Sequence, residues 1–120
     1  MSEVVERPWG AYEVLTDGIG YQVKRLMVKP GKRLSLQYHF KRSEDWVVVS
    51  GKAEITLGED TYEGNVGETF HVPVNVPHRI ANPTTDTELT IIEVQLGDYL
   101  GEDDIVRVQD DFGREDTVAK

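Results

Sequence analysis

Short apolar or alternating segments, separated by turn residues, follow one another about every 8–12 residues, and helical periodicity is nearly absent. Gly and Pro mark several of the turns, as in Lys29-Pro30-Gly31 and Ser50-Gly51-Lys52. This pattern is typical of sandwiches and small barrels, and it predicts a single antiparallel β domain. The segments expected to form strands are Ala11–Leu15, Tyr21–Val28, Leu34–His39, Trp46–Val49, Ala53–Leu57, Thr61–Glu63, Thr69–Val72, His78–Ala81 and Leu89–Leu96.

The composition argues against several classes of protein. With 120 residues the chain has the size of one domain, and the absence of cysteine excludes disulfides, thiolate nucleophiles and Cys-based zinc sites. The 13 Lys and Arg residues against 22 Asp and Glu residues give a net charge of −9, which argues against nucleic-acid and anionic-membrane partners. The longest apolar run, Trp46–Val49, is far shorter than a membrane span of about 20 residues. Together with the lack of cysteine, these features favour a cytoplasmic protein.

Four polar residues in two separate segments have a spacing that suits a metal site. Gln37 and His39 are two positions apart, so in a strand both side chains point to the same face. Glu44 follows at the start of the next strand, and His78 joins the group if its strand lies beside the first pair. A single His, Gln or Glu in a strand is more often exposed or hydrogen-bonded than metal-bound. Together, however, two imidazoles, an amide oxygen and a carboxylate suit a divalent first-row metal with one or two open positions.

Glycine, proline and asparagine residues around these four positions complete two motifs. The first motif contains Gly31, Gln37, His39, Glu44 and Gly51, and the second contains Gly67, Pro73, Asn75, His78 and Asn82. In every spacing they resemble the paired motifs of the cupin superfamily, whose fold is an antiparallel β-barrel or jelly roll. Two residues depart from the usual cupin pattern, because Gln37 replaces the first His and Asn75 replaces a Gly. Asn tolerates the left-handed backbone conformation, so we expect Asn75 to be a mild change.

Longer stretches of the sequence resemble one family within the cupins, the type II mannose-6-phosphate isomerases. The stretches that carry the resemblance are Arg7–Gly10, Val28–Gly31, Leu34–Gln37, Arg42–Glu44, Trp46–Gly51, Glu93–Arg107 and Asp111–Arg114. The family itself uses Gln at the position of Gln37. The resemblance implies a single cupin domain over residues 1–120, with motif 1 at 31–51, motif 2 at 67–82 and a C-terminal extension at 101–120. In that extension, Asp103 and Asp104 either cap a short helix or precede a last strand.

The resemblance also implies a function, a stand-alone metal-dependent isomerase that interconverts mannose 6-phosphate and fructose 6-phosphate or a related sugar phosphate. A divalent cation bound to the substrate oxygens would polarise the carbonyl group and stabilise the enediolate intermediate. The implied ligands are Gln37, His39, Glu44 and His78, with zinc as the expected ion, and manganese, cobalt, nickel and iron also suit these ligand types. Many family members carry this domain behind a sugar-nucleotide pyrophosphorylase domain, and we expect that second activity to be absent here.

Positively charged residues are the candidates for binding a phosphate group, because guanidinium groups form paired hydrogen bonds with phosphate oxygens. By resemblance, the candidates are Arg42, Arg107 and Arg114. The candidate catalytic residues are Arg107 and Lys24, although strand alternation does not decide whether Lys24 or Arg25 points inward. Residues 21–42 contain seven Lys and Arg residues and no acid, so the net charge of −9 does not argue against a small phosphorylated ligand.

Two alternatives to the isomerase stay open at this point. A metal-dependent cupin oxygenase would use the same ligand cluster, but it gives no reason for the pair Arg107 and Arg114. A sugar-phosphate-binding cupin without catalysis is favoured by three departures from the family, which commonly has His at these places. The three departures are Phe40, Lys41 and Asp45.

Two strands carry further predictions. The wholly apolar segment Trp46–Val49 suggests burial on both faces, one by the barrel and the other by a second copy, and we therefore expect a homodimer. In the last predicted strand, Glu93 and Gln95 share a face. Glu93 is a possible general base, but a strand glutamate is more often structural or exposed, so the base stays unassigned.

Overall fold

The computed structural model describes residues 3–114, and these residues form two antiparallel sheets and no helix. The strands are β1 (Val4–Arg7), β2 (Gly10–Gly18), β3 (Tyr21–Val28), β4 (Leu36–Tyr38), β5 (Arg42–Ser50), β6 (Ala53–Leu57), β7 (Asp60–Gly64), β8 (Thr69–Val72), β9 (His78–Ala81), β10 (Leu89–Gly97) and β11 (Val106–Gln109). One sheet has the order β1-β2-β3-β10-β5-β8 and the other β11-β4-β9-β6-β7. The expected all-β antiparallel fold is therefore confirmed. Within residues 3–114, no helix has the length and apolar character needed to cross a membrane.

The hydrophobic core lies between the two sheets, where inward-facing residues of both sheets meet. In β5, Trp46 and Val48 are buried, whereas Val49 is exposed on the opposite face. From the facing sheet, Ile55 and Ile80 are fully buried against this cluster. Because side chains alternate between the faces of a strand, the apolar segment in β5 contributes only every second residue to the core. Further along the same strands the inward positions are polar, and there the candidate site forms.

The turns between the strands use the residues that the motifs require. Gly51 connects β5 and β6 with φ +88°, and a Cβ atom at this position would lie 2.6 Å from the carbonyl oxygen of Glu88. Any other residue would therefore be strained there and would collide with backbone. Asn75, which replaces the usual motif glycine, has φ +67°. The expectation that Asn75 accepts the left-handed conformation is confirmed.

The predicted strands agree with the structure where local patterns decide them. The ranges of β3, β6, β8 and β9 are those predicted, whereas β4 is limited to Leu36–Tyr38. The strand β5 begins at Arg42, four residues before the predicted apolar run, because its polar first half pairs with β10 from Gly97 onward. An apolar pattern cannot detect this half, since its inward residues belong to the site. After Asp103 and Asp104 the chain forms the strand β11 rather than a helix.

Candidate functional site

The register of the second sheet aligns three of the predicted site residues in one row. Gln37 on β4 is the ladder partner of His78 on β9, and Arg107 on β11 is the ladder partner of Gln37 on its other side. Directly opposite residues in an antiparallel pair point to the same face of the sheet. The prediction required the strand of His78 to lie beside the strand of Gln37, and the structure has this arrangement.

His39, Glu44 and His78 form a buried cluster between the two sheets. Their potential ligand atoms all lie within 4.8 Å of one another. The Nε2 atom of His39 is 3.3 Å from Oε2 of Glu44, and Nε2 of His78 is 3.8 Å from Oε1 of the same carboxylate. All three side chains are at most 3% exposed. The cluster thus joins one residue from β5 and one from β9 to His39, which follows β4.

Hydrogen bonds on the outer side of both imidazoles determine which nitrogen faces the centre. The Nδ1 atom of His39 is 2.5 Å from the backbone carbonyl of Asp104, and Nδ1 of His78 is 3.0 Å from the carbonyl of Val76. Because a carbonyl only accepts, both Nδ1 atoms carry the proton and both Nε2 atoms present a lone pair to the centre. Nε2 of His78 is buried and has no hydrogen-bond partner among the described residues. This arrangement of donors fits a divalent metal ion.

The pKa values in the cluster favour the protonation states that a metal needs. Burial opposes the ionisation of Glu44, but the contacts with His39, His78 and Arg42 outweigh it and hold the pKa of Glu44 well below its usual range. Arg42, whose Nε atom donates to Glu44 at 2.9 Å, is the partner that remains cationic when both imidazoles are neutral. Burial also lowers the pKa of His78 and so favours the neutral imidazole. Both effects supply the forms that coordinate metals, a carboxylate and a neutral imidazole.

Gln37 lies next to the cluster as the fourth predicted ligand. It is the ladder partner of His78 and lines the same pocket as His39. Its Oε1 atom accepts a hydrogen bond of 2.6 Å from the hydroxyl group of Ser35. This hydrogen bond uses one of the two lone pairs of the oxygen that would bind a metal, whereas the two imidazoles are held through the nitrogen that faces away from the centre.

A pocket of about 160 Å³ extends from the cluster to the surface and is lined by five cationic side chains. They are Arg7, Lys24, Arg42, Arg107 and Arg114. All of the predicted phosphate-binding and catalytic residues are therefore in one pocket, together with Arg7, which the sequence does not mark as a site residue. Such a concentration of positive charge suits an anionic ligand.

The strand β3 resolves the choice between two adjacent cationic residues. Lys24 points inward and is 5% exposed, with its Nζ atom 4.5 Å from the centre of the Tyr12 ring. Arg25 lies on the opposite face of the sheet and pairs with Glu13 at 2.5 Å. Lys24, and not Arg25, therefore reaches the pocket.

Arg42 connects the cationic pocket with the candidate metal cluster. Its Nε atom donates to Oε2 of Glu44 at 2.9 Å, and its Nη2 atom lies 3.2 Å from Nε2 of His39. Arg114, at the outer end of the pocket, donates to the carboxylate of Asp110 at 2.6 Å. The surroundings of the two arginines therefore differ. Arg42 is buried beside the candidate metal ligands, whereas the Arg114 side chain is 23% exposed.

Glu93 and Gln95 face the same pocket from β10 and are both buried. The carboxyl group of Glu93 accepts from Trp46 Nε1 at 3.2 Å and from Gln95 Nε2 at 2.7 Å. Burial, reinforced by the charge of Glu44, raises the pKa of Glu93 to about 8. Glu93 is therefore structurally part of the pocket rather than exposed, and it is mainly protonated at neutral pH.

The segment between β10 and β11 contributes two residues that sequence reasoning missed. Asp104 is buried, and its carboxylate accepts hydrogen bonds from the backbone N–H groups of Phe40 and Lys41 at 2.9 and 3.0 Å. Its carbonyl oxygen orients His39, as described above. Glu102 reaches the mouth of the pocket and contacts Lys24. The stretch Glu93–Arg107, which resembles the family, was the sequence feature that pointed to this segment. It does not indicate which of its acidic side chains face the pocket.

The three departures from the family pattern do not line this pocket. Phe40 is 54% exposed and its ring packs edge-on against Tyr38. The Nζ atom of Lys41 lies 5.1 Å from the centre of the Tyr99 ring, and Asp45 lies on the outer face of β5, next to His71. These positions therefore leave the candidate metal cluster itself unchanged.

Comparisons with known proteins identify a family and several relatives. The family model described as mannose-6-phosphate isomerase C-terminal matches residues 1–110. The xanthan biosynthesis protein XanB of Xanthomonas campestris pv. campestris is 52% identical over 110 residues, which are 92% of this chain and 23% of that protein. The alginate biosynthesis protein AlgA of Pseudomonas aeruginosa is 49% identical over 110 residues, with the same coverage. Mannose-1-phosphate guanylyltransferase 2 of Escherichia coli O157:H7 is 44% identical over 112 residues, 93% of this chain and 23% of that protein.

Solved structures show the same fold at low sequence identity. A cupin-2 domain from Rhodospirillum rubrum has a TM-score of 0.73 and 15% identity, covering 86% of this chain and 78% of that one. An RmlC-like cupin from Shewanella frigidimarina has a TM-score of 0.74 and 18% identity, covering 86% of this chain and 88% of that one. The cupin fold is therefore confirmed.

The relatives correct the functional prediction. They are named for xanthan and alginate biosynthesis and for guanylyltransferase activity, and the chain spans only 23% of their length. The prediction of a stand-alone isomerase that interconverts mannose 6-phosphate and fructose 6-phosphate is therefore wrong. Its basis was a cupin-domain resemblance, and a domain of this kind is shared with larger proteins, among them enzymes of mannose metabolism.

Proposed function

Because this chain belongs to the mannose-6-phosphate isomerase C-terminal family, we propose that it is a metal-binding cupin domain. In this proposal the domain holds a sugar phosphate without converting it. One observation carries the proposal. His39 of the buried His39–Glu44–His78 cluster lines, together with Gln37, the same pocket as the five cationic side chains. A ligand that combines neutral hydroxyl oxygens with a strongly anionic group matches this pairing of a metal site with a cationic mouth.

His39, Glu44 and His78 would hold the metal, and the Gln37 amide would be the fourth ligand. A bound divalent cation supplies a Lewis acid that attracts the hydroxyl or carbonyl oxygens of a sugar. Zinc is our choice of ion, because two imidazoles and a carboxylate are among its usual ligands. The carbonyl groups of Asp104 and Val76 support the choice of site, since they hold both imidazoles in the coordinating tautomer.

The cationic side chains would hold the phosphate group. Arg107 occupies the same row across the sheet as Gln37 and His78, so one ligand can extend from the metal toward this guanidinium. Lys24 approaches from the opposite sheet and lines the same pocket. The relative named mannose-1-phosphate guanylyltransferase handles a mannose phosphate, and this supports a mannose phosphate as the ligand.

Calorimetric titration of the zinc-loaded chain with mannose 6-phosphate tests the proposal. We expect saturable binding that weakens strongly after chelation of the metal, and much weaker binding of unphosphorylated mannose. Arg107→Ala should weaken binding of the phosphate ligand by at least about tenfold, as expected for a charge-assisted hydrogen bond to phosphate. Arg25→Ala is the matched control, because this arginine lies on the outer face of the same barrel and pairs with Glu13.

Two results would contradict the proposal. Absence of binding of any sugar phosphate to the zinc-loaded chain would remove the ligand assignment. The second contradicting result would come from a coupled assay for fructose 6-phosphate, run on the same preparation. Metal-dependent turnover in that assay would show that the domain catalyses a reaction rather than only binding its ligand.

A further inference from the structure

The segment between β10 and β11 places an acidic side chain in the mouth of the cationic pocket. Oε2 of Glu102 lies 3.2 Å from Nζ of Lys24 and 3.7 Å from Nη1 of Arg42. One carboxylate oxygen therefore faces two cations that come from two different strands, β3 and β5. A single anionic oxygen between two cations is the arrangement that a phosphate oxygen of a bound ligand would adopt here.

The two cations are held in place, whereas the acid is not. The side chains of Lys24 and Arg42 are only 6% and 7% exposed. Arg42 is anchored by Glu44 and His39, and Lys24 is in contact with the Tyr12 ring. The Glu102 side chain is 59% exposed and belongs to a turn region rather than to a strand. An ion pair with so exposed a partner is weak and is easily exchanged.

The neighbouring acids of the segment have other partners. Asp103 accepts a hydrogen bond from the hydroxyl group of Tyr99, and Asp104 holds the backbone of Phe40 and Lys41. Asp104 therefore anchors the segment to the barrel two residues after Glu102. The side chain of Glu102 is left directed at the cations, and it can withdraw without loss of the hydrogen bonds made by Asp104.

The charge balance of the pocket explains why such an acid is useful. Arg42 is already compensated by Glu44, whereas Lys24 lies beside the neutral Tyr12 ring and opposite Glu93 on β10, which is mainly protonated at neutral pH. A buried cation without a counter-charge is costly, so an anionic side chain of the protein itself stabilises Lys24. A phosphate group carries more negative charge than a carboxylate and would compete for the same position.

We infer that the Glu102 carboxylate occupies the position that the ligand's phosphate takes between Lys24 and Arg42, and that the ligand must displace it in order to bind. Glu102 is thus a specificity-determining residue among anionic ligands, because only an anionic group that outcompetes a carboxylate can take its place at Lys24 and Arg42. The inference rests on the proposed binding of a sugar phosphate and adds the group against which that ligand competes.

Titration of the zinc-loaded chain and its Glu102→Gln variant with mannose 6-phosphate, inorganic phosphate and mannose tests the inference. The variant should bind both phosphate ligands about fivefold more tightly, which is the factor expected for loss of a competing exposed ion pair. Its affinity for mannose should not change. The matched control is Asp103→Asn, which removes the same charge from the same segment without touching the cations, and it should change these affinities less than about twofold.

The results separate the inference from the proposed function. If the wild-type chain binds mannose 6-phosphate but Glu102→Gln binds it equally or more weakly, Glu102 does not compete with the ligand and the inference is wrong. If no variant binds any phosphate ligand, the proposed function fails as well. Glu102→Ala provides a second measurement. Tighter binding of mannose by this variant would show obstruction by volume rather than by charge, which would also overturn the inference.

Discussion

Replacing Glu93 by Gln should remove most of the pH dependence of stability that this buried carboxyl group imposes on the metal-free protein. The pKa of Glu93 rises from 4.5 to about 8 on folding. Between these two values the unfolded chain has released the proton while the native chain retains it, so an increase in pH favours unfolding. The contribution of the protonated Glu93 carboxyl group to the stability of the folded protein is fully present below pH 4.5. It is lost as the pH rises toward 8. At about 1.4 kcal/mol per pH unit, the interval corresponds to about 5 kcal/mol.

A second buried group acts in the opposite direction in part of this range. The pKa of His78 is lowered by burial, so the unfolded chain binds a proton below pH 6.5 that the native imidazole does not. The contribution of His78 to stability therefore increases as the pH rises to 6.5. It opposes the loss of stability that Glu93 causes over the same range. Above pH 6.5 the effect of Glu93 is no longer opposed by His78, and the wild-type stability should fall most clearly between pH 6.5 and 8.

The substituted side chain fits the existing hydrogen bonds. Oε2 of Glu93 accepts from Trp46, and the oxygen of the new amide retains that bond. Among residues 3–114 the buried Oε1 atom of Gln95 has no hydrogen-bond partner, and a turn of its amide would direct this oxygen at the new NH₂ group. The variant should therefore fold and should lack only the titrating proton.

Urea unfolding with chelator present, followed by tryptophan fluorescence between pH 4.5 and 8, measures the effect. The difference in free energy of unfolding between Glu93→Gln and the wild type should grow by about 5 kcal/mol over this range, in favour of the variant at pH 8. Glu63→Gln is the control, because the Glu63 side chain is 62% exposed and lies far from the pocket on β7. Parallel pH profiles for the wild type and Glu93→Gln would refute the reasoning.

Three further predictions concern the metal site and the outer sheet face. His78→Ala should lower zinc affinity at least about 100-fold in a chelator competition. The control variant His71→Ala, on the outer face, should keep the wild-type affinity. Equal affinity in both variants would exclude His78 as a ligand. Asp104→Ala should lower zinc affinity about 10–100-fold by loosening the segment that orients His39, and an unchanged affinity would show that this support is dispensable. Val47 and Val49 of β5 and Ile92 of β10 lie on the outer face of the six-stranded sheet, and we expect a homodimer on this face that Ile92→Asp dissociates in sedimentation experiments. A wild-type chain that is already monomeric at micromolar concentration would contradict the dimer.

Local sequence features were sufficient for much of the fold. The strands β6, β8 and β9 followed directly from short apolar or alternating segments between turn residues, and Asn75 followed from the spacing of the second motif. These features depend on backbone preferences within a few residues, which the sequence contains in full. The motif spacing selected His39, Glu44 and His78, which the structure brings into one buried cluster, because alternation along neighbouring strands directs such residues to the same face.

Contacts between distant segments were decided only by the tertiary structure. Strand alternation did not distinguish Lys24 from Arg25, since both faces of β3 carry apolar neighbours and only the packing of the second sheet makes one face interior. Glu93 likewise became part of the pocket because β10 pairs with β5, and burial there raises its pKa. The placement of Glu102 and Asp104 depends on a segment that returns to the barrel more than 60 residues after His39. Such contacts arise from the register of strands far apart in the chain, and the periodicity of a single strand carries no information about that register.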